Sequence, residues 1–448
     1  MTIPALYEHQ KKTITKQDNV PGFFDLSDPG TGKTRAHVQG FANRGGRLLV
    51  AAPKTILQPA WGNTIDEFFP GLTYSIANAN NREKAFKEKT DVVITNHDAV
   101  NWILKNKKVL DGFTEIHIDE STAFKNPSAG RSKALKQLSK LFKFRRNLSG
   151  TPNPNTILEL WHQVFVLDQG ERLGSSYWKF RNVACEPTQV GPRPEMVEWK
   201  DKPGIEAAVF DLVSDISIRH RFEDCVSIPP NVTRRIDFEL PSKCRIAYDD
   251  MLEHAMLLLD SGEEVKAVHA ASVMTKLMQI ASGALYTGVE DNYAILDDSR
   301  TELVMDLIEE RPHTLVAFNW KHQRDQLVEA AKKRGFKFGV IDGEVKGQDR
   351  TNVVSLFQAG DLKVVFAHPQ SAGHGLTLTR GVATIWTSPT FNSEHYKQFF
   401  HRIYRNGQTK QTETIQICAA DTVDERVYAR LGHKLTSMDL FLSLMEAA

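Results

Sequence analysis

The chain is poor in cysteine, with four among 448 residues: Cys185, Cys225, Cys244 and Cys418. They lie far apart and none forms a Cys-x-x-Cys pair, so neither a disulfide framework nor a zinc module is signalled. Nowhere does the sequence approach the ~18–20 uninterrupted apolar residues that a membrane-spanning helix needs. The N-terminus has no basic segment leading into an apolar run, so secretion is not expected and a cytoplasmic setting is. Charge of one sign is also missing. The 56 Lys+Arg against 55 Asp+Glu leave a net +1, so any phosphate-binding surface must be local and balanced by acidic faces elsewhere. There is no low-complexity tract and no short-period repeat. With 41% hydrophobic and 25% charged residues, wholesale disorder is excluded. At roughly 100–200 residues per domain, the length suggests two to four domains.

The first third alternates short apolar runs with helix-compatible stretches. Arg47–Ala52, Asp91–Thr95 and Glu115–Asp119 suit buried parallel strands. The last third repeats the rhythm at His313–Phe318, Lys337–Ile341, Leu362–Ala367 and Ala383–Trp386. This predicts an α/β protein with two parallel-sheet lobes, 1–165 and 291–448. Between them, 166–290 reads as a mainly helical insertion and linker, interrupted by prolines near 187, 192–194 and 229–230.

The most informative segment is Phe23-Phe-Asp-Leu-Ser-Asp-Pro-Gly-Thr-Gly-Lys-Thr34. Gly30 and Gly32 allow a tight turn in which consecutive N–H groups, with Asp28 and Thr31 in the same loop, face a nucleotide phosphate at a helix N-terminus. Lys33 suits the β- and γ-phosphates, and the Thr34 hydroxyl suits Mg²⁺. Ser27 stands where the phosphate-loop pattern has its first glycine. Downstream, Ile116-His-Ile-Asp-Glu120 ends an apolar run in two carboxylates. Asp119 is a candidate Mg²⁺ ligand and Glu120 a candidate base for the attacking water. His117 is expected to pack in the core.

With these sites placed, the chain resembles superfamily-two helicases of the Snf-type, chromatin-remodeller-like branch, in the compact form found in phages and prophages. Tyr7-Glu-His-Gln10 is similar to the adenine-reading segment, with Gln10 as its glutamine. Ala51 to Trp61 resembles the segment that touches nucleic-acid backbone, and Asp119 to Asn126 resembles the Asp-Glu box. Leu148-Ser-Gly-Thr-Pro152 resembles the coupling motif, giving Ser149, Gly150 and Thr151. His368 to Leu378 resembles the Gly-rich motif, including Gly375. Gln398-Phe-Phe-His-Arg-Ile-Tyr-Arg-Asn-Gly-Gln408 resembles the arginine-finger motif, with Gln398, Arg402 and Arg405 sharing one face if the segment is helical. Ser121-Thr122 and His374 depart from the pattern, and the first departure removes a histidine that often links hydrolysis to coupling.

The resemblance implies two RecA-like lobes and an ATP-dependent, Mg²⁺-requiring DNA translocase that tracks a duplex without sequence specificity. Cytoplasm then means host cytoplasm for a phage protein. Lys54, Thr55, Thr95-Asn96-His97, Ser371 and Thr377 are candidate backbone contacts, being small or cationic groups that read no sequence. The stretch Arg131 to Arg146 reads equally as a basic DNA-facing surface or a solvated helix. Arg219 and Arg221 are as compatible with bridging acids as with binding DNA. Single-strand or RNA unwinding, and an ATP-gated protein-binding module, remain open alternatives; the sequence names no protein partner.

Overall fold

In the computed structural model, which describes residues 3–150, 152, 156–189, 197–260, 267–286, 292–345, 347–372, 376–429 and 431, the apolar runs become interior strands. Along Arg47–Ala52, side chains alternate between two buried layers. Leu49 and Ala51 pack with Val93, Ile116 and Ile118, while Leu48, Val50 and Ala52 pack with Val92, Ile94 and Trp61. A strand buried on both faces reads as a continuous apolar run, and so it does here.

The chain divides between Ser227 and Ile228. The first unit holds β1 (Gly22–Asp25), β2 (Arg47–Ala52), β3 (Tyr74–Ala77), β4 (Val92–Asn96), β5 (Phe113–Asp119), β6 (Phe144–Leu148), an antiparallel pair β7 (Cys185–Gln189) and β8 (Val197–Asp201), and β9 (Ser217–Ile218). Its main sheet runs β3-β4-β2-β5-β6-β1-β9, and its pairings are parallel. The second unit holds β10 (Asn231–Phe238), an antiparallel pair β11 (Ala284–Tyr286) and β12 (Tyr293–Ile295), β13 (Thr314–Ala317), β14 (Phe338–Ile341), β15 (Val364–Ala367), β16 (Ala383–Trp386) and β17 (Thr412–Ala419). Its sheet runs β10-β17-β16-β13-β15-β14, again parallel. The protein is thus α/β with two parallel-sheet lobes.

The stretch 166–290 is more mixed than its helical reading. It contains the helices Tyr177–Ala184, Ile205–Val213, Ser242–Asp260 and Ala267–Ala281, but also β7 to β11. Two of those strands extend the parallel sheets: β9 on β1 and β10 on β17. Strand β10 carries Arg234 and Arg235 and is largely exposed, the polar character that edge strands use and that hides them from an apolar-run search. The stretch 131–146 is likewise not one helix. It is the helix Gly130–Leu138, a short turn and β6. Arg146 at its end is fully buried against Glu115 at 3.5 Å. No helix among the described residues is long and apolar enough to cross a membrane.

Candidate functional site

Register brings the first unit's candidate residues together. Leu148 on β6 pairs with Asp119 on β5 and with Asp25 on β1. The phosphate loop after Asp25, the coupling motif after Leu148 and the Asp-Glu pair therefore leave one sheet side by side. They leave at the carboxyl ends of the strands, where open parallel sheets bind ligands.

The phosphate loop joins β1 to the helix Lys33–Arg44. Gly30 and Gly32 have φ of 88° and 78°, a left-handed backbone that side chains rarely adopt. A Cβ on Gly32 would lie 2.5 Å from the Gln10 amide nitrogen. Gln10 itself is buried: its Nε2 donates to Gly32 O at 3.2 Å, and its Oε1 accepts from Tyr7 N at 3.0 Å. His9 reaches Thr31 O at 2.7 Å, and the Thr31 hydroxyl donates to Asp28 O at 2.9 Å. Lys33 Nζ curls into the loop and donates to Ser27 O at 2.6 Å and Asp28 O at 3.1 Å. An ammonium ringed by backbone at a helix N-terminus fits a polyanion such as a nucleotide phosphate. Thr34 opens the same helix, half-buried.

Sequence reading gave little hint of what braces this loop. The segment after β9 runs along it: Asp28 N donates to His220 O at 3.0 Å, His220 N to Ser27 Oγ at 3.0 Å, and Phe222 N to Asp28 Oδ2 at 3.1 Å. Arg219, 6% exposed, lies 3.6 Å from Asp28. Of the two roles open to Arg219, bridging an acid is the one seen. A second brace lies beneath. Asp25 accepts from Ser27 N at 3.0 Å and from His37 at 3.0 Å. Burial alone raises the Asp25 pKa, but the His37 bond and nearby Lys33 bring it down to about 2. His117 is fully buried, donates to Glu115 at 2.7 Å and is lowered to about 4 by burial, so it is a neutral core group.

Asp119 is 8% exposed. Its Oδ2 accepts from Trp61 Nε1 at 2.8 Å, its Oδ1 from Glu120 N at 3.1 Å, and its carbonyl oxygen from His97 Nε2 at 2.7 Å. Burial first, then the Glu120 charge, pushes its carboxyl up to about 6, against the opposing pull of Trp61 and Lys33. Glu120 sits at φ 53°, a sparsely populated conformation for a side-chain-bearing residue that turns it away from the strand direction. A buried carboxylate near Lys33 at a strand end fits a divalent cation beside phosphates.

The coupling motif packs onto the loop. Ser149 N donates to Asp25 O at 3.0 Å, and a Cβ on Gly150 would lie 3.0 Å from Pro29; Thr151 lies outside the described residues. Gln163, on the helix Leu158–Asp168, is a link that the sequence reading missed. It accepts from Ser121 Oγ at 2.6 Å, donates to Pro152 O at 2.7 Å, and its carbonyl accepts from Asn147 at 2.8 Å. This bridge joins the Asp-Glu box to the coupling motif. An isolated glutamine inside an apolar helix is the signal that could have exposed it.

The candidate nucleic-acid contacts separate. Lys54 and Thr55 are exposed on the turn after β2. Asn96 is partly exposed at the end of β4. Thr95 is a correction. It is fully buried and its hydroxyl donates to Ala77 O at 2.8 Å, so the β4 pleat turns it into the first unit rather than toward a phosphate. In the second unit Ser371 and Thr377 are half-buried, while His374 and Gly375 lie outside the described residues.

The arginine segment also differs from a helix. The helix Ser393–Phe400 ends before Arg402, so the shared face does not come from helical spacing. The side chains converge nevertheless. Arg402 Nη1 and Arg405 Nη1 donate to Leu376 O at 3.1 and 2.8 Å, and Arg402 Nε donates to Gln398 O at 2.8 Å. Gln398 is 3% exposed; its Nε2 donates to Glu394 at 3.0 Å, and its Oε1 has no partner among the described residues. Gln408 pins the following turn through Thr379 O and Gly381 O, each at 3.0 Å.

Residues 2–282 match the SNF2-related domain and residues 299–407 the helicase conserved C-terminal domain. The chain is 30% identical over 420 residues to putative protein p41 of Acyrthosiphon pisum secondary endosymbiont phage 1, covering 89% of this chain and 88% of that protein. It is 24% identical over 432 residues to the mouse chromodomain-helicase-DNA-binding protein 1-like, covering 89% of this chain and 45% of that protein. It thus spans less than half of that animal relative. Among solved structures, the Sulfolobus solfataricus SWI2/SNF2 ATPase core in complex with dsDNA is similar at 22% identity, covering 99% of this chain and 94% of that one, with a TM-score of 0.44.

Proposed function

Because the chain belongs to the SNF2-related family, we propose that it is a DNA-dependent ATPase that converts ATP hydrolysis into travel along duplex DNA. The observation that carries this reading is the alignment of phosphate loop, Asp-Glu pair and coupling motif at one edge of the first sheet. Gly30 to Thr34 and Lys33 bind the phosphates, and Gln10 reads the base. Thr34 and Asp119 would hold Mg²⁺, whose chemistry is to neutralise charge on the phosphate oxygens. Glu120 orients the attacking water and takes its proton. Arg402 and Arg405 are the second unit's contribution, compensating charge as the γ-phosphoryl departs. Nucleic acid held by both units favours their productive arrangement, and the ATP cycle makes that hold alternate. Contacts from Lys54, Thr55 and Asn96 would be to the backbone, without sequence reading.

ATPase rates with blunt duplex, poly-thymidine and RNA, together with displacement of a third strand from a triplex, test this. Duplex should stimulate hydrolysis most and the third strand should be released in an ATP-dependent manner. Stimulation by poly-thymidine or RNA alone would favour an unwinding helicase. A rate indifferent to every nucleic acid would favour an ATP-gated binding module.

A further inference from the structure

From the hydrogen bonds at Asp119 we infer that Trp61 and His97 are positioning residues that fasten two nucleic-acid-facing segments of the first unit to the carboxylate that would hold Mg²⁺. The inference rests on the motor reading above and deepens it by naming how DNA reaches the chemistry.

Three donors fix Asp119, and two come from outside its own strand and loop. Trp61 lies in the turn Leu57–Gly62, which follows the exposed Lys54 and Thr55. Its indole is fully buried beneath that turn and donates to Asp119 Oδ2 at 2.8 Å. Indole N–H can only donate, so this contact has one sense and holds the carboxylate in one rotation. His97 directly follows Asn96 at the end of β4. A carbonyl can only accept, so Nε2 must carry the proton in its 2.7 Å contact with Asp119 O. The His97 ring is itself held edge-on to Phe124 at 5.1 Å, and Phe124 lies in the turn just past Glu120.

Both candidate DNA segments of this unit therefore end on the same residue, one at its side chain and the other at its backbone. A duplex that fixes the 54–62 turn or the end of β4 fixes Asp119 as well. Partners that orient a metal ligand typically matter 10–100-fold for metal affinity or activity. His97, which the sequence offered as a backbone contact, is buried with its Nε2 on Asp119 O, so both residues act through Asp119 and touch neither nucleotide nor DNA in this scheme.

The test compares Trp61→Phe, which keeps an aromatic ring and removes the donor, with His97→Gln, which keeps an N–H donor, and His97→Phe, which does not. Three quantities are measured: duplex affinity by anisotropy without nucleotide, binding of a fluorescent ATP analogue across a Mg²⁺ titration, and the ratio of duplex-saturated to basal ATPase. Trp61→Phe and His97→Phe should raise the Mg²⁺ needed for half-maximal analogue binding about 10-fold and lower the ATPase ratio. Duplex affinity should stay within about two-fold, and His97→Gln should retain the parent behaviour. A merely structural role would lower the melting temperature while leaving Mg²⁺ dependence and ratio unchanged, and would overturn the inference. If the parent protein shows no stimulation by any nucleic acid, the motor reading fails, and the Mg²⁺ titration still decides whether Trp61 and His97 position Asp119.

Discussion

The charged groups around the phosphate loop and Arg405 in the arginine segment are held differently. Around the phosphate loop, the charged groups have hydrogen-bond partners. Lys33 has two backbone acceptors, Asp25 has Ser27 and His37, and Asp119 has Trp61 and Glu120 on its two carboxylate oxygens. In the second unit, Arg402 and Arg405 both donate to Leu376 O, and Arg402 also to Gln398 O. Arg405 Nη1 rests on a carbonyl rather than a carboxylate, and burial pushes its pKa below the ordinary arginine value. A half-buried cation whose hydrogen-bond acceptor is neutral is costly, and the buried Gln398 Oε1 adds an unmet acceptor. The carboxylates of the first arrangement are held by N–H donors, whereas Arg405 of the second rests on a neutral carbonyl.

The contrast breaks most sharply at Arg405. If it is held for a developing negative charge, Arg405→Ala should cut kcat by roughly 10³–10⁵ while leaving the melting temperature unchanged or higher, because a cation on a neutral acceptor is removed. Arg405→Lys should rescue little, since a point charge does not reproduce the planar fork. Steady-state ATPase and thermal unfolding, run side by side, check both halves. A fall in melting temperature with kcat intact would make Arg405 a support for the Leu376 carbonyl. In the first unit, Glu120→Gln should lower hydrolysis by roughly 10²–10⁴, the usual worth of a positioned base, while ATP binding persists. Single-turnover hydrolysis against equilibrium nucleotide binding reads this directly, and hydrolysis at the parent rate would remove Glu120 from the base role.

The same contrast marks what was legible in the sequence. Apolar runs announced β2, β4, β5 and β13 to β16 because parallel strands buried on both faces have little choice of residue. The glycines of the phosphate loop and the Asp119-Glu120 pair stood out by residue type and spacing, and the sheet register brings the segments that carry them side by side. What escaped is what depends on partners distant in the chain. Strand β6 hid behind Arg145 and Arg146, since the Arg146 charge is answered by Glu115 across the sheet. Strand β10 hid because an edge tolerates Arg234 and Arg235. The Gln163 bridge and the 219–222 brace involve residues whose partners are 11 to 194 positions away. Thr95 was misread because its hydroxyl looks the same in sequence whether it faces a phosphate or the Ala77 carbonyl.

The pairing of charges beneath the first sheet can itself be tested through Glu115, which meets Arg44 at 2.6 Å and Arg146 at 3.5 Å. Burial raises this carboxyl, but His117, Arg44 and Arg146 together bring it down to about 2 from 4.5. Its stabilising contribution is therefore complete above pH 4.5 and is lost as pH falls toward 2. His117 works in the same direction by another route. Burial lowers it from 6.5 to about 4, so the unfolded chain takes up that proton first and folding weakens as pH falls through this window. Glu115→Gln should cost about 3–5 kcal/mol at pH 7, because Arg44 and Arg146 are left without their buried counter-charge. Urea unfolding should show the gap between parent and variant holding from pH 7 to about 4.5 and closing below it. A gap that stays constant down to pH 3 would mean that Glu115 titrates alike in the folded and unfolded chain, so that its pairing with Arg44 and Arg146 contributes nothing net.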